Sequence, residues 1–236
     1  MNLNHGLLAY LMPDGVKGIV LFGCMFAVLF ASYLLGSINS AILFSKVVYK
    51  DDIRKHGSGN GGMTNMLRTF GGKAALLTLA GDLLKTAISI FLAGFVFGFW
   101  YVSGICTNYI CYVAGLFAVL GHIFPIYYRF KGGKGVLVTS TMAMILTPIP
   151  FLLLFAVFAG IVAMSKYVSL GSVSVAALYP VMLHGAFAVI GLPMHGVIAL
   201  STMILACLIV WCHRENLKRI SERTERKLSF KKKKND

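Results

Sequence analysis

Charged residues are scarce in this 236-residue chain, at 13% of the total, and only eight residues are Asp or Glu. Hydrophobic residues make up 58%, and the mean hydropathy is +0.79, which excludes an ordinary soluble domain. The composition is typical of a protein with several membrane-spanning segments. The first apolar run, from Gly18 to beyond Leu43, is longer than the apolar region of a signal peptide and precedes no cleavage pattern, so we expect a retained helix.

Cysteine is also rare, and the five cysteines form no CxxC pair and no metal-ligand spacing with histidine. They predict small packing residues, so we expect no disulfide, no metal site and no cofactor. Asp82 is the only acidic residue well inside an apolar run, and Lys85 follows it by three residues. The spacing favours pairing of the two on one helix face over a direct contact with a ligand.

Basic residues are concentrated at the C-terminus, where ten of the 22 Lys and Arg lie between Arg214 and Lys234. Beside a membrane span, such a cluster predicts a cytoplasmic segment that faces anionic membrane lipids. Nucleic acid is not an expected partner, because no soluble recognition element is evident.

Seven apolar segments can be counted, and the fourth is short for a membrane span. Lys and Arg occur in the loops after the first, third, fifth and seventh segments and are absent from the connections between. This alternation predicts an all-α protein with seven transmembrane helices, its N-terminus outside and its C-terminus in the cytoplasm. Six crossings is the alternative. The segments are 18–45, 74–100, 108–129, 135–147, 149–165, 167–189 and 195–213.

We therefore expect a multi-pass protein of the cytoplasmic (inner) membrane whose polar loops all lie on the cytoplasmic face. Residues 1–17 form an N-terminal extracytoplasmic segment, 18–213 a single transmembrane domain and 214–236 a basic cytoplasmic segment. The chain is compatible with a monomer.

The most polar interruption is RKHGSGNGGMTNMLR, from Arg54 to Arg68. Its glycines are expected to leave backbone N–H groups free to point at one spot, with neutral side-chain donors around them. Flanking basic residues favour a site for an oxyanion such as phosphate over a merely flexible connector. The neutral donors are Ser58, Asn60, Thr64 and Asn65.

Two further polar loops share the predicted cytoplasmic face. KGGKG, from Lys131 to Gly135, precedes a short helix whose N-terminus would attract an anion, but it lacks the spacing of a nucleotide-hydrolysing loop. HRENLKR begins a segment predicted to be helical from His213 to Leu228, in which His213 and Asn216 share a face.

Together and in this order, these loops resemble the bacterial acyl-phosphate:glycerol-3-phosphate acyltransferase family, from about Tyr33 to Leu228. The matching pieces are LLGSI, DIRKHGSGN, GHIFP, FKGGKGV, KYVSL, HRENLKR and TERKL. The resemblance implies seven membrane segments and a cytoplasm-facing active site. It also implies transfer of a fatty acyl group from acyl phosphate to the sn-1 hydroxyl of glycerol 3-phosphate, the first step of phospholipid biosynthesis. The products are lysophosphatidic acid and phosphate.

The same resemblance assigns roles to residues. Ser58, Arg68 and Lys134 would contact phosphate and oxyanion, while His213 and Asn216 would orient glycerol 3-phosphate; these five form the catalytic set. Whether His213 or a substrate phosphate accepts the hydroxyl proton stays open. The substrate-binding set is Gly57, Asn60, Thr64, Asn65, Gly132, Gly133 and Ser169, with Gly132 and Gly133 allowing close backbone approach to the acyl phosphate.

The chain departs from the family's pattern at four positions. Asn39 stands where proline is common, Gly61 and Met63 where a larger aliphatic residue and alanine are usual, and Arg223 where glycine is expected. Gly61 in particular is expected to loosen its loop.

Two functions compete with acyl transfer. The first is a transporter for a phosphorylated or other anionic metabolite, for which opposed broken helices and symmetric halves are missing. The second is a headgroup transferase with a nucleotide-activated donor, for which the paired-aspartate metal motif is missing.

Overall fold

The structure, a computed structural model, describes residues 6–12 and 18–228. It is helical almost throughout these residues, which agrees with the predicted fold class. The helices are α1 (Gly6–Leu11), α2 (Gly18–Ser37), α3 (Ser40–Val48), α4 (Met63–Phe70), α5 (Gly72–Phe97), α6 (Tyr109–Ile123), α7 (Val136–Leu146), α8 (Pro148–Ser165), α9 (Val168–Val189), α10 (Gly196–Cys212) and α11 (Arg214–Ser221). The sequence did not predict the two-residue strands β1 (Tyr101–Val102) and β2 (Ile105–Cys106), which pair antiparallel between α5 and α6.

Each of the seven predicted segments contains a long or short apolar helix, and the first also contains the start of α3. Five helical segments of the described chain are long and apolar enough to cross a membrane, and α10 with α11 makes a sixth if that bent pair is one span. Helix α7 has only 11 residues, because it begins after Gly135, whose φ is +79°, and ends before Pro148. The protein is a multi-pass membrane protein, while seven crossings and the orientation of the termini stay predictions.

The first predicted segment, residues 18–45, is wrong as a single run. Helix α2 ends at Ser37, and Asn39 is the N-cap of α3, its Oδ1 accepting a hydrogen bond of 3.0 Å from the N–H of Ile42. Asparagine is among the strongest N-cap residues, so it starts a new helix inside an apolar stretch. The break leaves backbone carbonyl groups at the buried junction between α2 and α3 without partners in a helix. The hydrogen bonds that these groups make support the candidate site.

Helix α11 is shorter than the sequence predicted, because it ends at Ser221 rather than near Leu228. Arg223 has a φ of +57°, and the chain turns back so that the N–H groups of Thr224 and Glu225 both donate to the carbonyl of Arg219. A left-handed residue after a helix is normally glycine, which is the residue that the family resemblance leads us to expect at this position.

The two predicted terminal segments are only partly described. Helix α1 lies within residues 1–17 and packs against α5, with Leu8 in the main apolar core. Residues 1–5, 13–17 and 229–236 lie outside the described residues, and so does the tail KKKKND.

Helix α6 is the centre of the bundle, packed against α2, α5, α7 and α10. Its contact with α2 is close because glycines face backbone there. A Cβ at Gly36 would overlap the backbone of Ala118, and one at Gly121 would overlap the backbone of α2. Small residues permit this approach, which is a main source of helix association inside a membrane.

We expect Gly36→Ala to destabilise the bundle by about 1–3 kcal/mol, because the added methyl meets backbone that cannot turn away. Gly160→Ala is the matched control. No atom lies within 4 Å of a Cβ at that exposed position of α8, so we expect a gain of up to about 1 kcal/mol from helix propensity. Thermal unfolding in detergent, followed by labelling of the buried thiols of Cys106 and Cys111, measures both; equal stability of the two variants would contradict this packing.

Candidate functional site

A cavity of about 690 Å³ begins at the polar loops and continues between α7, α8 and α9. Ten of the twelve site residues predicted from the sequence line it: Gly57, Ser58, Asn60, Thr64, Asn65, Arg68, Lys134, Ser169, His213 and Asn216. The other two, Gly132 and Gly133, do not. Loops far apart in the sequence therefore meet at one end of the bundle.

Asn65 organises the first loop from its buried position at the start of α4. Its Nδ2 lies within 2.9–3.2 Å of the carbonyl oxygens of Ile53, His56 and Asn60, and its Oδ1 accepts from the N–H of Ser58. Gly57 has a φ of +60°, and a Cβ there would overlap Oδ1 of Asn65. Here glycine allows the loop to close on Asn65.

The expectation that this loop presents a nest of free backbone N–H groups is wrong at four positions. The N–H of Ser58 donates to Asn65, that of Gly59 to the carbonyl of His56, that of Gly61 to Gly132 and that of Gly62 to Asn60. These four donors are engaged within the protein and are not available to a ligand.

Arg54 stabilises the first polar loop and does not line the cavity. Its guanidinium bonds to both carboxylate oxygens of Asp52, at 2.6 Å for the closest pair, and donates to the carbonyl of Tyr128. Arg54 therefore joins the first polar loop to the second. Arg68, by contrast, lines the cavity from α4.

In the second loop, Gly132 and Gly133 provide close packing against the end of α6. Their N–H groups donate to the carbonyls of Ile123 and His122, and a Cβ on either would overlap His122. The predicted close backbone approach thus takes place between two parts of the protein. Its consequence is to fix Lys134, the next residue, whose Nζ donates to Oδ1 of Asn216.

Glu225 joins the C-terminal segment that lines the cavity to the start of α9. The sequence predicted no role for this residue. Its Oε1 accepts from Ser169 Oγ at 2.8 Å and from Asn216 Nδ2 at 2.7 Å, and its Oε2 lies 2.8 Å from Nε of Arg219. Burial opposes ionisation, but these hydrogen bonds outweigh it and hold the pKa of Glu225 below its ordinary value. The feature of the sequence that could have indicated a role for Glu225 is its position in the TERKL motif.

The polar end is cationic. Arg68, Lys134 and Arg219 all line it, and burial lowers the pKa of Lys134 to about 8. Glu225 raises that pKa, whereas Arg219 and Arg68 lower it further. A phosphate group would find there both positive charge and hydrogen-bond donors.

Behind the second loop lies a buried polar cluster. Lys85 Nζ is 2.9 Å from Asp82 Oδ1, which confirms the pairing predicted from their spacing, and 3.0 Å from Nδ1 of His122. Ser40 Oγ donates to the same carboxylate oxygen. Asp82 and His122 line the cavity, and neither was among the predicted site residues.

The other end of the cavity is apolar. Its lining comes from α7, α8 and α9 and includes Leu137, Met144, Phe151, Leu154, Phe155, Phe158, Val175 and Ala176. A cationic, hydrogen-bonding end joined to an apolar channel between membrane helices suits an amphiphilic anion. Fold and site together define a multi-pass membrane protein with a cavity that is cationic at one end and apolar at the other.

Comparison with known proteins identifies the family. A sequence model of the glycerol-3-phosphate acyltransferase family matches residues 26–223. The glycerol-3-phosphate acyltransferase of Mycoplasmopsis agalactiae is 37% identical over 222 residues, 84% of this chain and 91% of the relative. That of Syntrophomonas wolfei is 37% identical over 205 residues, 87% of this chain and 97% of the relative. The chain belongs to the glycerol-3-phosphate acyltransferase family.

Solved structures agree. The glycerol 3-phosphate form of PlsY (YgiH), an integral membrane glycerol 3-phosphate acyltransferase, superposes with a TM-score of 0.75 at 31% identity, covering 87% of this chain and 96% of that one. Its lysophosphatidic acid form gives a TM-score of 0.72 at 30% identity, covering 87% and 95%. These two forms are described for that protein.

We expect Asn65→Asp to lower the free energy of unfolding by about 2–4 kcal/mol, since it removes the NH₂ group and places a carboxylate against three carbonyls. Asn60→Asp makes the same chemical change on a side chain without a hydrogen bond to the described residues. Chemical or thermal unfolding in detergent measures both, and an equal loss in the two variants would remove the organising role of Asn65.

Proposed function

We propose that this protein transfers a fatty acyl group from acyl phosphate to the sn-1 hydroxyl of glycerol 3-phosphate. The products are lysophosphatidic acid and inorganic phosphate, and the reaction begins phospholipid synthesis. We also propose seven membrane crossings, with α7 as the short one, and an active site that faces the cytoplasm.

The observation that carries this proposal is the continuity of one cavity from Lys134 and Arg68 to the apolar space between α7, α8 and α9. Both substrates carry phosphate and one carries an alkyl chain, so a productive complex needs a cationic region beside an apolar channel. Support also comes from PlsY, which is described in a glycerol 3-phosphate form and a lysophosphatidic acid form.

The proposed orientation rests on the distribution of charge. The loops rich in Lys and Arg, after the first, third, fifth and seventh apolar segments, contribute the residues of the cavity's polar end. Loops that meet at one site lie on one side of the membrane, and the excess of Lys and Arg favours the cytoplasm.

The chemistry needs little beyond positioning and electrostatic stabilisation, because acyl phosphate is an activated mixed anhydride. The sn-1 oxygen attacks the acyl carbonyl carbon and forms the ester bond. The bond from that carbon to the bridging oxygen breaks, and phosphate leaves with the electron pair. Lys134 and Arg68 are placed to stabilise the charge on the leaving phosphate.

The hydroxyl proton has two possible acceptors, His213 and a substrate phosphate. Nδ1 of His213 lies 2.8 Å from the carbonyl oxygen of Ile209, and a carbonyl can only accept, so Nδ1 carries the proton of the neutral ring. Nε2 is then the nitrogen with a free lone pair. This tautomer suits His213 as the base while leaving the substrate-assisted route open.

The decisive experiment supplies acyl phosphate and labelled glycerol 3-phosphate to the protein purified into lipid vesicles. We expect lysophosphatidic acid without acyl-CoA or a divalent metal. Lys134→Ala and Ser58→Ala should each lower kcat/KM by about 1000-fold, in line with the loss of a preorganised donor to developing charge. Lys131→Ala is the matched control, because this exposed lysine of the same KGGKG motif lies outside the cavity and should retain turnover.

Several outcomes would contradict the proposal. Product formed only from acyl-CoA would overturn the acyl-phosphate donor. Absence of product together with uptake of a phosphorylated solute into the vesicles would favour the transporter. Wild-type rates in Lys134→Ala or Ser58→Ala would remove those residues from the site.

The pH dependence should follow Lys134. Because burial lowers its pKa to about 8, the ammonium is present well below that pH and is lost above it. We expect kcat/KM for glycerol 3-phosphate to fall as the pH rises through about 8. In Lys134→Arg, the guanidinium keeps its charge, because its pKa exceeds about 12, and the fall should disappear even if the maximal rate is lower. An unchanged pH profile in Lys134→Arg would argue against this assignment.

A further inference from the structure

A threonine hydroxyl in the cavity wall has no partner. Thr139 lies on α7, is 8% exposed and lines the cavity. Among the described residues, its Oγ1 is the buried side-chain polar atom that makes no hydrogen bond. Burying a hydroxyl without a partner is costly, so such an atom in a native structure calls for an explanation.

Its isolation is unusual among the buried Ser and Thr residues of the described chain. Eleven Ser or Thr hydroxyls in or directly after the described helices donate to the carbonyl four residues earlier: Ser32, Ser37, Thr78, Thr86, Ser89, Thr141, Thr147, Ser165, Ser172, Ser201 and Thr202. The same bond is open to Thr139, with Gly135 as acceptor, and is not made. Thr141, two residues later on the same helix and also in the cavity wall, makes it at 2.9 Å.

The position of Thr139 indicates which group its hydroxyl serves. Helix α7 begins directly after Lys134 and Gly135, so its first turn borders the cationic end of the cavity. With a rise of about 1.5 Å per residue and side chains that lean towards the helix N-terminus, Thr139 lies about one turn into the cavity wall. Ala143, one turn further on, already borders the apolar channel.

An acyl phosphate has a matching boundary between its charged part and its apolar part, and this boundary is the acyl carbonyl group. Its carbonyl carbon is separated from phosphorus by a single bridging oxygen, and the alkyl chain begins on the other side of that carbon. With phosphate at Lys134 and the chain between α7, α8 and α9, the carbonyl oxygen is the ligand's hydrogen-bond acceptor nearest to this turn of α7.

We propose that the hydroxyl of Thr139 donates a hydrogen bond to the acyl carbonyl oxygen of the bound donor. This rests on the proposed function and deepens it. During attack by the sn-1 oxygen, the carbonyl oxygen gains negative charge, and the hydroxyl stabilises that charge until the bond to phosphate breaks and the carbonyl re-forms. The hydroxyl keeps its own proton throughout, so Thr139 is neither nucleophile nor base.

The first test compares Thr139→Val with Thr78→Val in vesicles with acyl phosphate and glycerol 3-phosphate. Valine replaces the hydroxyl of threonine by a methyl group of similar size. We expect kcat/KM to fall about 10- to 100-fold in Thr139→Val and to stay close to wild type in Thr78→Val, because the buried Thr78 hydroxyl on α5 is engaged by its own helix and lies outside the cavity. Thr139→Ser, which keeps a donor, should recover most of the activity.

Measurements of Tm distinguish a hydrogen bond to the substrate from a purely structural role of Thr139. Thr139→Val removes an unsatisfied buried hydroxyl, so its Tm should equal or exceed that of wild type, by up to about 2–4 °C. A loss of activity with a lowered Tm, shared by Thr78→Val, would overturn the proposal. Wild-type kcat/KM in Thr139→Val would overturn it as well. If Thr139→Val does not fold, Thr139→Ala and Thr139→Ser give the same contrast between absence and presence of the hydroxyl.

A binding measurement tests the carbonyl contact without turnover. A long-chain acyl phosphonate keeps the carbonyl in an unreactive analogue, whereas the alkyl phosphonate of equal chain length lacks it. We expect Thr139→Val to weaken binding of the acyl phosphonate about 10-fold, with binding of the alkyl phosphonate unchanged. Equal effects on both ligands would overturn the contact. If wild type gives no lysophosphatidic acid, the proposed function fails, and this pair of affinities still decides on Thr139.

Discussion

The ammonium of Lys85 holds together the part of the bundle on which the site is built. Its Nζ donates to the carbonyls of Gly36 and Ile38, at 3.1 and 2.9 Å, and lies 2.9 Å from Oδ1 of Asp82. These carbonyls are freed where α2 ends, and such groups must be satisfied within the protein at membrane depth. One buried charge therefore makes the break between α2 and α3 possible, and Asp82 keeps that charge paired.

From this break, a chain of contacts leads to the loops that line the cavity. Asn39 lies within the break, is fully buried and donates through Nδ2 to the carbonyl of Gly61 at 3.1 Å. The N–H of Gly61 reaches the carbonyl of Gly132, two residues before Lys134. The loops that line the cavity are thus tied to the helix core and to each other. Electrostatic stabilisation is most effective when its donors are held in place before the ligand binds.

Much of the fold and of the candidate site could be predicted from residue types and their spacing in the sequence. The spacing of Asp82 and Lys85 places both on one face of a helix, and the alternation of loops rich in Lys and Arg predicts that these loops lie on one side of the membrane. The family resemblance named ten residues that do line the cavity. Proximity in the sequence could not reveal that Lys85 binds the end of α2, that Glu225 joins Ser169 to Asn216, or that Gly132 packs against His122, because these contacts join distant segments. Nor could it show that Thr139, alike in type to Thr141, lacks the usual bond to its own helix.

The two departures at Asn39 and Gly61, which look independent in the sequence, form a single contact in the structure. A glycine at 61 was expected to loosen the loop, yet Gly61 is buried, and both its N–H and its carbonyl are hydrogen-bonded. A Cβ at this position would lie 3.0 Å from Cγ1 of Ile42 and 3.2 Å from Oδ1 of Asn39, so a larger side chain would press on the amide that holds the loop. Proline at 39 would lack that amide altogether. In this chain, a hydrogen bond from Asn39 holds the loop in place, and Gly61 leaves the space that this bond requires.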